Sequence, residues 1–237
     1  MVSFLLFVLS GERGSALPDP YRVGVYYAPA EQDMLWQAGC EWLGRDAKTG
    51  LTIDQPNLPA LAENTQDPRR YGFHATLKSP FVLRHGFESF LHSATKFSAQ
   101  QTSFDLPPLA VTDLHGFLAL CPVGPAPRLH LLADDCVKQL DDHRVPESAT
   151  EQAQRGIGKT ERQISYIQQW GYPFVFEEFH FHMTLTGKIQ NNPYFTAACA
   201  HFSTALAQTR RVDSLAIFVE ASKGSAFELF CRLPFCA

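Results

Sequence analysis

One pentapeptide pattern is written twice in this chain. Residues 73–77 read Phe-His-Ala-Thr-Leu, and residues 181–185 read Phe-His-Met-Thr-Leu. His-x-Thr alone arises readily by chance, but the shared Phe before it and Leu after it make two accidental copies a poor explanation. The plainer alternative is two core strands, each holding a hydrogen-bonded His. The likeness extends further. After His74 come LKSPFVLRHG, a helical stretch FESFLHSATKF, and two β-like runs, TSFDLPPLAVTDL and GFLALCPV, joined at His115-Gly116. After His182 come LTGKIQNNP, a helical stretch YFTAACAHFSTALAQ with Asn192 as its N-cap, and two β-like runs, VDSLAIFVEAS and SAFELFCRLPF, joined at Lys223-Gly224. Both copies read strand, helix, strand, strand. Self-similarity at this scale predicts two equivalent lobes, each contributing one His-x-Thr strand.

Strand geometry then fixes what each copy presents. Successive side chains point to opposite faces. Phe73, Ala75 and Leu77 share one face, and His74, Thr76 and Lys78 the other. Likewise Phe179, Phe181, Met183 and Leu185 oppose His180, His182, Thr184 and Thr186. One side is apolar and suits a core. The other carries His then Thr, roughly 6.5 Å apart along the strand, a gap that a tetrahedral oxyanion can bridge. Two such strands across a cleft would gather two imidazoles and two hydroxyls around one anion. Near neutral pH one imidazole can hold a proton while the other lacks it. That pairing serves acid-base displacement at phosphorus, with the Thr hydroxyls on the non-bridging oxygens.

Other residues border this arrangement. Lys78 falls on the polar face of its strand and is a candidate phosphate contact. Arg70 and Tyr71 directly precede the first motif and could close over an anion, Arg70 by a bidentate contact. His180 shares the face of His182. Lys188 follows Gly187, where strand parity no longer carries over. The remaining histidines have no supporting pattern.

The rest of the chain sets bounds. Its 237 residues and 45% apolar content suffice for one large domain or two small lobes. The formal net charge of −4, with no basic run, gives no electrostatic track for long nucleic acid. Six scattered cysteines without a Cys-x-x-Cys pair read as reduced core thiols of a cytoplasmic protein. The apolar start, MVSFLLFVLS, is too short to span a membrane and lacks the preceding basic residue of a signal peptide. Residues 1–20 are therefore read as an extension and 21–237 as one bilobal domain, with motif-bearing segments at 73–121 and 175–235 and a helical insert at about 122–172. The insert holds two helical patterns, PRLHLLADDCVKQLDD and TERQISYIQQWG, the second opened by a capping box from Thr160 to Gln163. EQDMLWQAGCEWLG predicts a further helix, and DQPNLPALAENTQDPRR a loop. GIGKT in the insert is not a phosphate-binding loop: position 153 is Ala and no strand precedes it.

Taken together, these strings resemble a known family. FHATL and FHMTL are similar to the paired motifs of the two-histidine (2H) phosphoesterase superfamily. VYYAP, LGRD, RRYGFHATLKSPF and WGYPFVFEEFHFHMTLTGK resemble its branch found alongside phosphonate-utilisation genes. From about Tyr21 onward, the resemblance implies a LigT-like α+β fold: bilobal, internally duplicated, two antiparallel sheets facing a central cleft, helices outside. It implies His74, Thr76, His182 and Thr184 as the catalytic set, no cofactor or metal, and a small cyclic phosphate or phosphodiester as substrate. Two other readings stay open. A metal-dependent hydrolase could use His180-x-His182 with Glu177 or Glu178, although the first copy has no second His. A non-catalytic module could keep the anion pocket and turn nothing over.

Overall fold

The computed structural model describes residues 19–189 and 191–236. Residues 1–18 of the expected N-terminal extension lie outside the described residues. The chain runs through strand β1 (Arg22–Tyr27), helix α1 (Met34–Leu43) and two short helices, α2 (Leu61–Asn64) and α3 (Gln66–Tyr71). The first copy follows as β2 (Ala75–Phe81), α4 (Phe87–Ser98), β3 (Phe104–Leu106), β4 (Leu109–Leu114) and β5 (Phe117–Pro122). Between the copies lie α5 (Pro127–Leu140), α6 (Ala149–Arg155) and α7 (Glu161–Trp170), with 3₁₀ turns at Asp141–His143 and Phe176–Glu178. The second copy is β6 (Met183–Thr184), α8 (Phe195–Leu206), β7 (Arg210–Val212), β8 (Ser214–Glu220) and β9 (Phe227–Pro234).

Each copy thus runs strand, helix and then β structure. The first β-like run of each is broken in two. Pro107 and Pro108, which have no N–H to donate, separate β3 from β4. Asp213 separates β7 from β8. The freed short strands β3 and β7 pair with each other. His115 and Gly116 form the β4–β5 turn, both at positive φ, and the Gly116 N–H donates to the Asp113 carboxylate at 2.7 Å. The stretch expected as one loop holds α2 and α3. Pro68 sits in the first turn of α3, where its missing N–H costs nothing. Helix α8 begins later than its sequence suggests, with Tyr194 at the cap and Asn192 accepting the Tyr194 N–H at 3.1 Å. The Thr160 capping box is present as expected.

The fold is α+β with two antiparallel sheets. Among the described residues the larger is seven-stranded, in the order β4-β5-β6-β2-β1-β8-β9, and the smaller is β3-β7. The copies exchange strands: the β4-β5 hairpin of the first pairs with β6 of the second, and the β8-β9 hairpin of the second joins β2 through β1. The two halves meet edge to edge at the motif strands. Ala75↔Met183 is the pair of Cα partners recorded between β2 and β6.

The motif phenylalanines anchor this join. Phe73 is fully buried and stacks on Phe202 of α8, 6.2 Å apart at 14°. Gly39 of α1 leaves the space for it, since a Cβ there would come within 2.2 Å of the Phe73 ring. Phe181 packs on Tyr27 at 5.7 Å. Burying each ring contributes about 1.5–3 kcal/mol, so the core itself holds the polar face in register. The Trp42 indole N–H donates to the Leu185 carbonyl at 3.0 Å, tying α1 to the second motif. Among the described residues no helix is long and apolar enough to cross a membrane. The six cysteines are free, Cys40 and Cys136 in the interior, and Cys199 and Cys236 exposed.

Candidate active site

The β2–β6 register determines the site. In antiparallel pairing, one step either side of Ala75↔Met183 sets His74 opposite Thr184 and Thr76 opposite His182. Ala75 and Met183 point into the core, fully buried, so the four polar side chains share the other face. Directly opposite side chains start from Cβ atoms about 5 Å apart. All four line one cavity of about 370 Å³.

Both imidazoles are oriented by their own backbone. Nδ1 of His74 lies 2.9 Å from the Gly72 carbonyl, and Nδ1 of His182 lies 2.8 Å from the His180 carbonyl. A carbonyl only accepts, so Nδ1 carries the proton in each ring and Nε2 keeps its lone pair. The Thr76 hydroxyl lies 3.3 Å from Nε2 of His74 and donates to it. Burial lowers the His74 pKa from 6.5 to about 4, with the Gly72 carbonyl opposing the shift and His182 adding to it. The His182 pKa is also lowered, first by burial, with the His180 carbonyl opposing and the His180 ring adding. Both rings are therefore neutral bases at neutral pH in the free protein. His74 stacks on Tyr26, and His182 meets Phe117 edge-on at 5.7 Å.

Of the other expected contacts, Tyr71 lines the cavity, while Lys78, Arg70 and His180 do not. Lys78 is a correction. A bulge in β2 breaks strand parity: Tyr26 pairs with Thr76, but Val25 pairs with Lys78, so Leu77 is extra. Lys78 is turned to the opposite side, 3% exposed, with Nζ 2.7 Å from Asp141. Arg70 is drawn away to the fully buried carboxylate of Glu220, which Arg22 also binds. His180 is exposed, its Nδ1 on the Glu178 carbonyl at 3.1 Å. The donors of the metal reading are engaged elsewhere: Glu177 with Tyr166, Glu178 with Gln163. Among the described residues no three His, Cys, Asp or Glu side chains are grouped so that they could hold a metal ion.

Several cavity residues were not singled out by sequence. The same bulge that removes Lys78 brings Ser79 to the cavity. Thr186 lies in the matching place of the second motif, its Oγ1 accepting from the Leu118 N–H at 3.0 Å and the Asn192 amide at 3.1 Å. Its hydroxyl proton remains free to donate. Tyr26, Phe117 and Tyr172 supply aromatic walls, and Asp67 adds a carboxylate. Among the described residues Lys188 is the only Lys or Arg lining the cavity. The signal for Thr186 was legible in its strand parity. Tyr26, Phe117 and Tyr172 arrive from distant segments.

A family model described as "Protein of unknown function (DUF1045)" matches residues 76–228. A protein of Janthinobacterium sp. (strain Marseille), named ribose 1,5-bisphosphate phosphokinase PhnN, is 38% identical over 229 residues, covering 90% of this chain and 51% of that protein. One of the same name from Laribacter hongkongensis (strain HLHK9) is 37% identical over 219 residues, again 90% and 51%. The chain spans about half the length of these relatives. Among solved structures, E. coli LigT complexed with 3'-AMP aligns with a TM-score of 0.44 and 13% identity, over 93% of this chain and 100% of that one.

Proposed function

This chain belongs to the DUF1045 family of proteins of unknown function, and we propose that it is a metal-independent 2H-type phosphoesterase acting on a small cyclic phosphate or phosphodiester. The observation that carries this reading is the matched pair of imidazoles. Each gives its Nδ1–H to a backbone carbonyl and opens Nε2 to one cavity, with a Thr hydroxyl opposite.

In the proposed reaction one imidazole is neutral and the other holds a proton at Nε2, which the anionic substrate favours. Water attacks phosphorus and its proton passes to the neutral Nε2. The phosphorus–oxygen bond to the leaving oxygen breaks, and that oxygen takes the proton from the other Nε2. One new phosphorus–oxygen bond replaces one broken, and the proton has changed rings. Which imidazole acts as base is set by the side on which the leaving oxygen lies. The hydroxyls of Thr76 and Thr184 donate to the non-bridging oxygens as charge gathers there.

The substrate is proposed to be a small sugar phosphate of phosphonate metabolism, and not a long RNA. Two relatives carry a name that specifies a phosphorylated ribose. A cavity of about 370 Å³ with a single Lys suits one small anion, and an overall charge of −4 gives no extended basic track. The test is phosphorus NMR of a panel of small cyclic phosphates, including ribose 1,2- and 2,3-cyclic forms, with the protein in excess EDTA. Ring opening to a monoester is expected. No turnover of any member, or turnover only after zinc or manganese is added, would overturn the proposal.

A further inference from the structure

Tyr26 stands against the His74 imidazole with no part yet in the chemistry. It is fully buried in β1 and lies opposite Thr76. Its ring stacks on the His74 imidazole, with centroids 3.8 Å apart and 25° between planes. The other rings near His74 are farther and tilted: Phe218 at 5.8 Å and 43°, Tyr71 at 6.4 Å and 42°. Tyr26 can lie flat here because residue 24 is glycine. A Cβ at Gly24 would come within 2.5 Å of the Tyr26 Cζ and hydroxyl. The hydroxyl itself is buried without a hydrogen-bond partner. It anchors nothing. What this side chain contributes is its ring face.

That face supplies what the backbone bond cannot. Once substrate draws the Thr76 hydroxyl off Nε2, the one bond left to the imidazole, from Nδ1 to the Gly72 carbonyl, leaves the ring freedom to tilt. A flat partner beneath removes that freedom. We propose that Tyr26 is a positioning residue: resting on Gly24, its ring holds the plane of His74 so that Nε2 faces the phosphorus. This rests on the two-histidine reading of the site. The titratable groups facing His74 are Tyr26, Tyr71 of α3 and His182 just before β6, and Asp67, Tyr172 and Lys188 line the same cavity.

The test uses Tyr26→Phe, Tyr26→Leu and Gly24→Ala, with two readouts: turnover of a small cyclic phosphate, and the titration of His74 followed by side-chain NMR. Tyr26→Phe keeps the ring, so kcat stays within about twofold of wild type and the titration is unmoved. Tyr26→Leu lowers kcat by about tenfold or more, with KM within about threefold, because misaimed groups lose rate more than binding. The His74 midpoint then moves up toward its ordinary value as the stack opens to water. Gly24→Ala, which displaces the ring without removing it, moves both readouts the same way and carries the test if Tyr26→Leu does not fold. An unmoved kcat and an unmoved His74 titration in Gly24→Ala and Tyr26→Leu would overturn the proposal. So would a loss in Tyr26→Phe as large as that in Tyr26→Leu. The titration is read without substrate, so it judges the stack even if no cyclic phosphate is turned over.

Discussion

His74 and His182 are held by the same bond: each donates Nδ1–H to the carbonyl two residues behind it, at 2.9 and 2.8 Å. The two rings lie more than a hundred residues apart in the sequence, yet their protons are placed alike. The account therefore predicts the Nδ1–H tautomer for both in the free protein at neutral pH. Nitrogen-15 NMR of the imidazole side chains reads this directly. A proton on Nε2 of either ring would contradict it.

The depressed His74 pKa sets how stability depends on pH. The folded value is about 4 against an ordinary 6.5, so between these values the unfolded chain binds the proton that the folded protein refuses. The stability that this neutral imidazole confers is full above about pH 6.5 and is lost as pH falls through about 4. Replacing His74 with Gln should flatten that part of the denaturation curve. A stability profile of the variant that falls as steeply as wild type over this window would show that other groups govern it.

Lys78 and Lys188 should behave in opposite ways. Lys78 is buried against Asp141, which Arg144 also binds through two contacts at 2.8 Å. Lys78→Met should cost roughly 1–3 kcal/mol in stability while KM stays unchanged. Lys188→Ala, at the cavity rim, should leave stability unchanged and raise KM for a cyclic phosphate several-fold. Denaturant melts and steady-state kinetics separate the two. A raised KM in Lys78→Met would return it to the phosphate site.

Much of the site was legible because it repeats. Alternation along FHATL and FHMTL placed Phe73 and Phe181 in the core and His74, Thr76, His182 and Thr184 on the other face, and all four polar residues line one cavity. Lys78 was misplaced because one bulge at Leu77 reverses parity, and a bulge has no clear mark in a run such as ATLKSP. Arg70 was misplaced because its partner, Glu220, lies 150 residues away. The edge-to-edge join at Ala75 and Met183 could not be read either, since strand pairing between copies depends on contacts that no local pattern encodes. Tyr26 was visible only as part of a strand, and its stacking on His74 needed the β1–β2 register.

In the proposed reaction His74 and His182 divide two proton transfers, one ring taking a proton from water and the other giving one to the leaving oxygen. The most direct measurement is turnover of an accepted cyclic phosphate by His74→Ala, His182→Ala and the double variant, followed by phosphorus NMR. Each single change should lower kcat by about a hundredfold or more. The double variant should lose little beyond either single one, because groups acting as one unit do not add. Thr76→Ala and Thr184→Ala should be milder, each removing one donor among several. Near wild-type kcat in either histidine variant, with a folded protein, would contradict the account.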